Sequence, residues 1–109
     1  MLFDWDDDKN RSNLADHGIS FEVASLVFDD PLAQNVPDPF EDEERWRTTG
    51  TIGGTVIVLV VHTWSEVRIV NEEDGAEETE EVVRLISARK ATKGERESYE
   101  ESIRRQEWF

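Results

Sequence analysis

The sequence predicts an α+β domain: two N-terminal helices packed on an antiparallel sheet of about four strands, followed by a C-terminal helix. Three observations predict it. Helical signals come first, at "DDDKNRSNLADHG" and "SFEVASLVF". Strand signals then follow one another without helical interruption, around the β-branched run "TVIVLVVHTW". A helix-start motif, "TKGE", opens the last stretch. The 109 residues suffice for one modest core, so the whole chain, 1–109, reads as a single domain.

The elements follow in order. "FDWD" is suited to a short edge strand. The Asp-rich start of the next segment complements a helix N-terminus, and Gly18 suits the left-handed position after a helix. Asn10, Asn13, Leu14 and His17 share one face of that helix, an unusually polar one. Ser20 caps the second helix, and "DDPL" ends it, because the residue before a proline is pushed out of the helical region. "LAQNV" is a short strand; "ERWRTTGTI", residues 44–52, alternates; "GG" at 53–54 signals a hairpin. "TVIVLVVHTW" is the central strand, covered on both faces. Residues 71–81, "NEEDGAEETEE", read as a long hairpin tip, and "VVRLISA" as the returning strand. Thr92 and Glu95 form a capping box for a helix from about Lys93 to Gln106, with Tyr99 and Ile103 as apolar anchors. For Trp108 and Phe109, fraying is the expectation at a terminus, with docking on the core or a partner as the alternative.

Charge is unevenly spread. The chain carries 12 Lys+Arg and 26 Asp+Glu, a net −14. Residues 82–109 hold seven bases and five acids, about +2, which leaves −16 on residues 1–81. Two tracts, 38–44 and 71–81, hold 12 of the acids and no base, which favours solvated loops, or alternatively surfaces that dock a basic partner. There is no cysteine, hence no thiolate chemistry, and the N-terminus has neither a basic start nor a long apolar run. These features predict a soluble cytoplasmic protein with no membrane segment.

Several chemistries are disfavoured. Asp4, Asp6 and Asp8 have calcium-loop spacing, but Lys9 stands at the glycine position and Ala15 at the final ligand position. Two histidines without paired spacing argue against zinc, so no metal and no cofactor is expected. "GTIGG" lacks the Gly-Lys-Ser/Thr of a phosphate loop.

What remains is a set of cations and amides. Arg45 and Arg47 lie on one strand, and Arg84, Arg89 and Lys90 flank another. Lys9, Asn13 and His17 are spaced along the first helix at i, i+4, i+8. Such groups suit a phosphodiester, because cleaving RNA without metal needs a base, an acid and cations for a charged phosphorane. The plainer readings are an ion pair between Arg84 and a nearby acid, and a bond from His17 to a last-turn carbonyl.

At this point the residues resemble the BrnT toxin family. Its signature runs F-x-W-D, K-x-x-x-N-x-x-x-H-G-[IV]-S-F, V-F-D-D-P, E-R-x-x-x-x-G, R-[IL]-I-S-A-R-x-A-[TS] and E-x-x-x-Y. The chain matches it, in order, at Phe3, Trp5, Asp6, Lys9, Asn13, His17, Gly18, Ser20, Phe21, Val27 to Pro31, Glu44, Arg45, Gly50, Arg84, Ile86 to Arg89, Ala91, Thr92, Glu95 and Tyr99. The resemblance implies the toxin of a bacterial type II toxin–antitoxin pair, a RelE-like, metal-independent RNA endonuclease. Its implied partner is a BrnA-type ribbon-helix-helix antitoxin, with RNA as substrate and operator DNA reached only through the antitoxin in a hetero-oligomer. The implied catalytic set is Lys9, His17, Arg45, Arg84 and Arg89, supported at the substrate by Asn13, Ser87, Lys90 and Tyr99. The sequence departs from the family in a longer, more acidic connection at 70–81, and its net charge is odd for a protein that grips phosphates. A non-enzymatic acidic module that docks a basic protein is therefore the second reading.

Overall fold

The computed structural model describes residues 1–107, so the expectation for Trp108 and Phe109 falls outside it. Strand β1 (Leu2–Asp4) leads into helix α1 (Asp7–His17) and α2 (Phe21–Ala24), which tightens into a 3₁₀ segment (Ser25–Asp29). Strands β2 (Gln34–Pro37), β3 (Trp46–Ile52), β4 (Val56–His62), β5 (Ser65–Val70) and β6 (Glu77–Lys90) follow, and helix α3 (Lys93–Glu107) closes the described chain.

The helix signals operate as local chemistry requires. Asp6 accepts the Lys9 N–H at 3.0 Å, and Gly18, at φ 72°, donates its N–H to Leu14 at 2.9 Å. Ser20 caps α2 through the Val23 N–H. The second helix is shorter than expected. Ser25 turns its hydroxyl back onto the Glu22 carbonyl at 2.7 Å, and the chain finishes as a 3₁₀ turn before Asp30 becomes extended ahead of Pro31.

The sheet has six strands where about four were expected. Its order is β1-β6-β4-β3-β2, with β5 also bonded to β6; β1 is parallel to β6 and the other pairings are antiparallel. The central place of β4 agrees with its apolar run. The acidic tract needs correction: the tip is only the segment between Val70 and Glu77, and 77–81 is strand, paired with β5. Every residue of β5 is exposed, so it lacks the buried alternation that marks a strand in a sequence. The resulting ribbon extends the sheet plane beyond the core. It fits a radius of gyration of 15.8 Å, where a compact chain of this length has about 13 Å.

The core lies on one face of the sheet. Ile19, Phe21, Ala24 and Val27 cover Val58, Val60, Val83, Leu85 and Ala88, rimmed by Trp5, Phe28, Ile52 and Trp64. Gly50 faces this layer. A Cβ there would stand 2.9 Å from an Asp30 oxygen and 3.0 Å from Val27 and Ala33 carbons, so the position requires glycine.

Two side chains finish the sheet where strands run out. Beyond β1, the Asn13 amide binds the β6 edge: it donates to the Ala88 and Ile19 carbonyls, each at 2.8 Å, and accepts the Ala88 N–H at 3.0 Å. Beyond β2, Asp30 binds the β3 edge through the Thr51 N–H at 2.8 Å, and takes the Tyr99 hydroxyl on the same oxygen. Both satisfy backbone groups that would otherwise be unpaired at an edge. None of the described helices is long and apolar enough to cross a membrane.

Candidate functional site

The second face of the sheet carries the arginines. Val61 pairs with Ser87 but His62 pairs with Leu85, so Ile86 is an extra residue, a bulge in β6. The bulge reverses the side-chain alternation. Without it Arg84 and Arg89, five residues apart, would point to opposite faces. With it Val83, Leu85 and Ala88 all enter the core, and Arg84, Ser87 and Arg89 share the other face. On β3 the same face holds Arg47 and Thr49, opposite Val61 and Leu59, and Arg45 precedes them at the next equivalent position. The cations thus fall on three rows about 7 Å apart along the strands: Arg45 with Arg84, Arg47 with Ser87, and Thr49 with Arg89.

Each arginine is held by a carboxylate. Glu43 accepts from Arg45 Nε at 2.9 Å and from Arg84 at 3.0 and 3.1 Å. The Arg45 guanidinium also lies 3.7 Å over the Phe40 ring. Arg47 Nε donates to Asp38 at 2.6 Å. Arg89 and Glu95 form a two-pronged pair at 2.7 and 3.0 Å, while Glu95 also closes the capping box by accepting the Thr92 N–H at 2.8 Å. The arginine bonds set the electrostatics. Arg89, aided by Thr92, pulls the Glu95 carboxyl down from 4.5 to about 2, against the cost of burial. Arg45 first, then Arg84, lowers Glu43, and Arg47 lowers Asp38. Within these ion pairs four arginines meet three carboxylates, a surplus of one positive charge. Between the sheet and the first turns of α3 lies a cleft of about 260 Å³, lined by Arg47, Thr49, Leu59, Gly94, Glu95 and Ser98 among others.

The structure therefore brings together Arg45, Arg84, Ser87 and Arg89, and adds Arg47. The ion-pair reading of Arg84 is the one observed, with Glu43 as partner. Lys90 pairs with Val58 and so belongs to the opposite face, exposed at the strand end. Lys9 and His17 are exposed on α1, which lies along the β6 edge, and neither side chain makes a hydrogen bond or ion pair among the described residues. Asn13 and Tyr99, expected at the substrate, are 6 % and 3 % exposed, and their polar atoms are engaged in the edge contacts just described. Burial opposes charge on Asp30, but bonds from Tyr99, Thr51 and Leu32 prevail and hold its carboxyl below the usual range; burial and the Asp30 bond raise Tyr99.

The other histidine, His62, is fully buried on the core face, and desolvation lowers its pKa. Its Nδ1 donates to the Thr63 carbonyl at 3.0 Å. Among the described residues no group of three His, Cys, Asp or Glu side chains is arranged to hold a metal ion.

Asp38, Phe40 and Glu43 are site residues that the sequence reading placed in a solvated loop. The available signal was the i, i+2 spacing of Glu43 and Arg45, which puts an acid and a base on the same side of an extended chain.

Comparison with known proteins agrees with this architecture. The chain is similar to the Brucella abortus ribonuclease toxin, BrnT, seen in a crystal structure at 1.1 Å resolution: 26% identity, 85% of this chain and 100% of that chain covered, TM-score 0.53. No curated protein matches. The family model of the ribonuclease toxin BrnT of type II toxin–antitoxin systems matches residues 5–95, a span that takes in α1, the Asp38–Glu43 loop, the arginine rows and Glu95. The chain belongs to the BrnT family of type II toxin–antitoxin ribonuclease toxins.

Proposed function

We propose that the chain is a metal-independent RNA endonuclease whose site is the arginine face, neutralised in the cytoplasm by a BrnA-type ribbon-helix-helix antitoxin. RNA is the substrate, and operator DNA is contacted only through the antitoxin. The observation that carries the proposal is the convergence of Arg45 and Arg84 on Glu43, beside Ser87 and within one sheet face of Arg89. An RNA phosphate competes with Glu43 for the two guanidinium groups, a charge-assisted, planar contact that arginine favours.

The chemistry then follows without an external reactant. The ribose 2′-oxygen attacks the neighbouring phosphorus and the bond to the 5′-oxygen breaks. One proton leaves the 2′-hydroxyl and one reaches the departing oxygen. The products are a 2′,3′-cyclic phosphate and a 5′-hydroxyl. Arg45, Arg84 and Arg89 stabilise the phosphorane charge. Glu43, released as the phosphate takes its two arginines and so restored as a base, is the proposed acceptor of the first proton. His17 and Lys9 on α1 are the proposed proton donors, with Ser87 as a flanking contact on the arginine face. Asn13 and Tyr99 contribute by holding β6 and α3 in place.

The test is cleavage of a defined RNA by the purified chain in EDTA, followed by end analysis. Wild type is expected to leave cyclic phosphate ends. Arg84→Ala and Arg89→Ala are each expected to cut about 100-fold more slowly, the scale for loss of one oxyanion-stabilising group. RNA left intact by folded wild type would remove the nuclease assignment. Cleavage only on adding a divalent ion would remove metal independence.

A second reading, a non-enzymatic acidic module that binds a basic protein, is favoured by one observation: each arginine of the face already has a carboxylate partner. It predicts tight, salt-sensitive protein binding with no RNA cleavage.

A further inference from the structure

The core side of the sheet carries a second concavity, about 450 Å³ in volume, where β3 begins and β4 passes into β5. Its lining is Glu44, Trp46, Trp64, Ser65, Glu66 and Glu81: two indoles, three carboxylates and no base. Trp64 is braced from behind by Phe28 and His62, with ring centroids 6.4 and 5.7 Å away. Glu66 and Glu81 are directly opposed cross-strand partners, an arrangement that like charges destabilise. None of the three lining glutamates makes an ion pair among the described residues. Beside the concavity, β5 is bonded to β6 alone, so its outer edge presents unpaired backbone groups from Ser65 onward.

We infer that this cleft docks a basic, extended segment of a protein partner, with an arginine side chain between Trp46 and Trp64, its guanidinium on Glu66 and Glu81, and its backbone added to the free edge of β5. Indole faces attract cations, and guanidinium both stacks and forks onto carboxylates where an ammonium is only a point charge. Strand addition supplies backbone hydrogen bonds that a free cation cannot make, which is why the occupant is a polypeptide. The acidic lining repels nucleic acid. The Glu44-Arg45 dipeptide divides between the two faces, its acid lining this cleft and its base lying on the arginine face. The inference does not depend on the nuclease reading.

The experiment titrates the full-length chain with a ten-residue peptide of alternating Arg and Thr, read by tryptophan fluorescence and calorimetry. Two doubly substituted chains with equal charge change are compared: Glu66→Gln with Glu81→Gln in the cleft, and Glu72→Gln with Glu73→Gln at the ribbon tip. Saturable binding is expected, weakened at least tenfold by the cleft pair and less than twofold by the tip pair. The Arg peptide should bind more tightly than its Lys counterpart, and arginine amide at least 100-fold more weakly. The cleft pair relieves a repulsion, so its thermal midpoint should not fall, and its RNA cleavage should equal wild type. Equal weakening by both pairs, arginine amide as tight as the peptide, or no binding at all would overturn the inference.

Discussion

Asn13→Ala tests the account of the sheet edge most directly. The substitution removes three hydrogen bonds and leaves the Ala88 N–H, the Ala88 carbonyl and the Ile19 carbonyl without partners at a residue that is 6 % exposed. Each buried group left unsatisfied costs about 1–3 kcal/mol. Some water reaches the opened edge, so the low end applies, and the sum is about 3–4 kcal/mol. A domain of this size has about 5–15 kcal/mol in total, so the loss removes a large part of its stability. At about 4–8 °C per kcal/mol, the melting midpoint falls by about 12–32 °C. Asn13→Asp is expected to be worse, because it deletes both donors and adds a charge facing a carbonyl. Urea unfolding followed by circular dichroism gives the free energy, and RNA cleavage well below the melting midpoint gives the activity. The reasoning fails if Asn13→Ala costs under about 1 kcal/mol while cleavage disappears. That pattern would make Asn13 a substrate contact.

Three other outcomes are expected. Gly50→Ala forces a methyl group against Asp30, Val27 and Ala33 and should cost about 1–3 kcal/mol in the same unfolding assay, with a neutral result contradicting the close packing. The Glu95 carboxyl has a folded pKa of about 2 against 4.5. Its folded value is the depressed one, so its stabilisation is complete above about pH 4.5 and is lost as pH falls towards 2. Because the pair is partly exposed, the loss should be about 1–2 kcal/mol, and Glu95→Gln should flatten that limb of the stability–pH curve; an unchanged limb would deny the Arg89 pair its role. Glu43→Gln frees Arg45 and Arg84 for the phosphate, so it should tighten RNA binding while lowering kcat at least tenfold, whereas tighter binding with undiminished or faster cleavage would show that Glu43 only restrains the arginines.

Local chemistry made much of the molecule legible from the sequence. The caps at Asp6, Gly18 and Ser20 and the Thr92–Glu95 box act within four residues, so their partners stand beside them in the chain. The apolar run in β4 marked the sheet centre, but the strand is not covered on both faces: Val58, Val60 and His62 are buried in the core, while on the second face Leu59 is buried and Ile57 and Val61 are only half-buried. Arg45, Arg84 and Arg89 were identifiable as cations of one type, and the family pattern followed from ordered residues. Folding in three dimensions decided what those cations could do. β5, exposed along its whole length, is a strand because β6 runs past it. Glu43 and Arg84, 41 residues apart, meet across the sheet. Asn13 resembled a substrate contact until the unpaired edge of β6 claimed its amide. The single extra residue at Ile86 turned Arg84 and Arg89 onto one face. Strand alternation has a period of two, so one inserted residue reverses every side chain beyond it, and the register that places such a bulge depends on a partner strand distant in the chain.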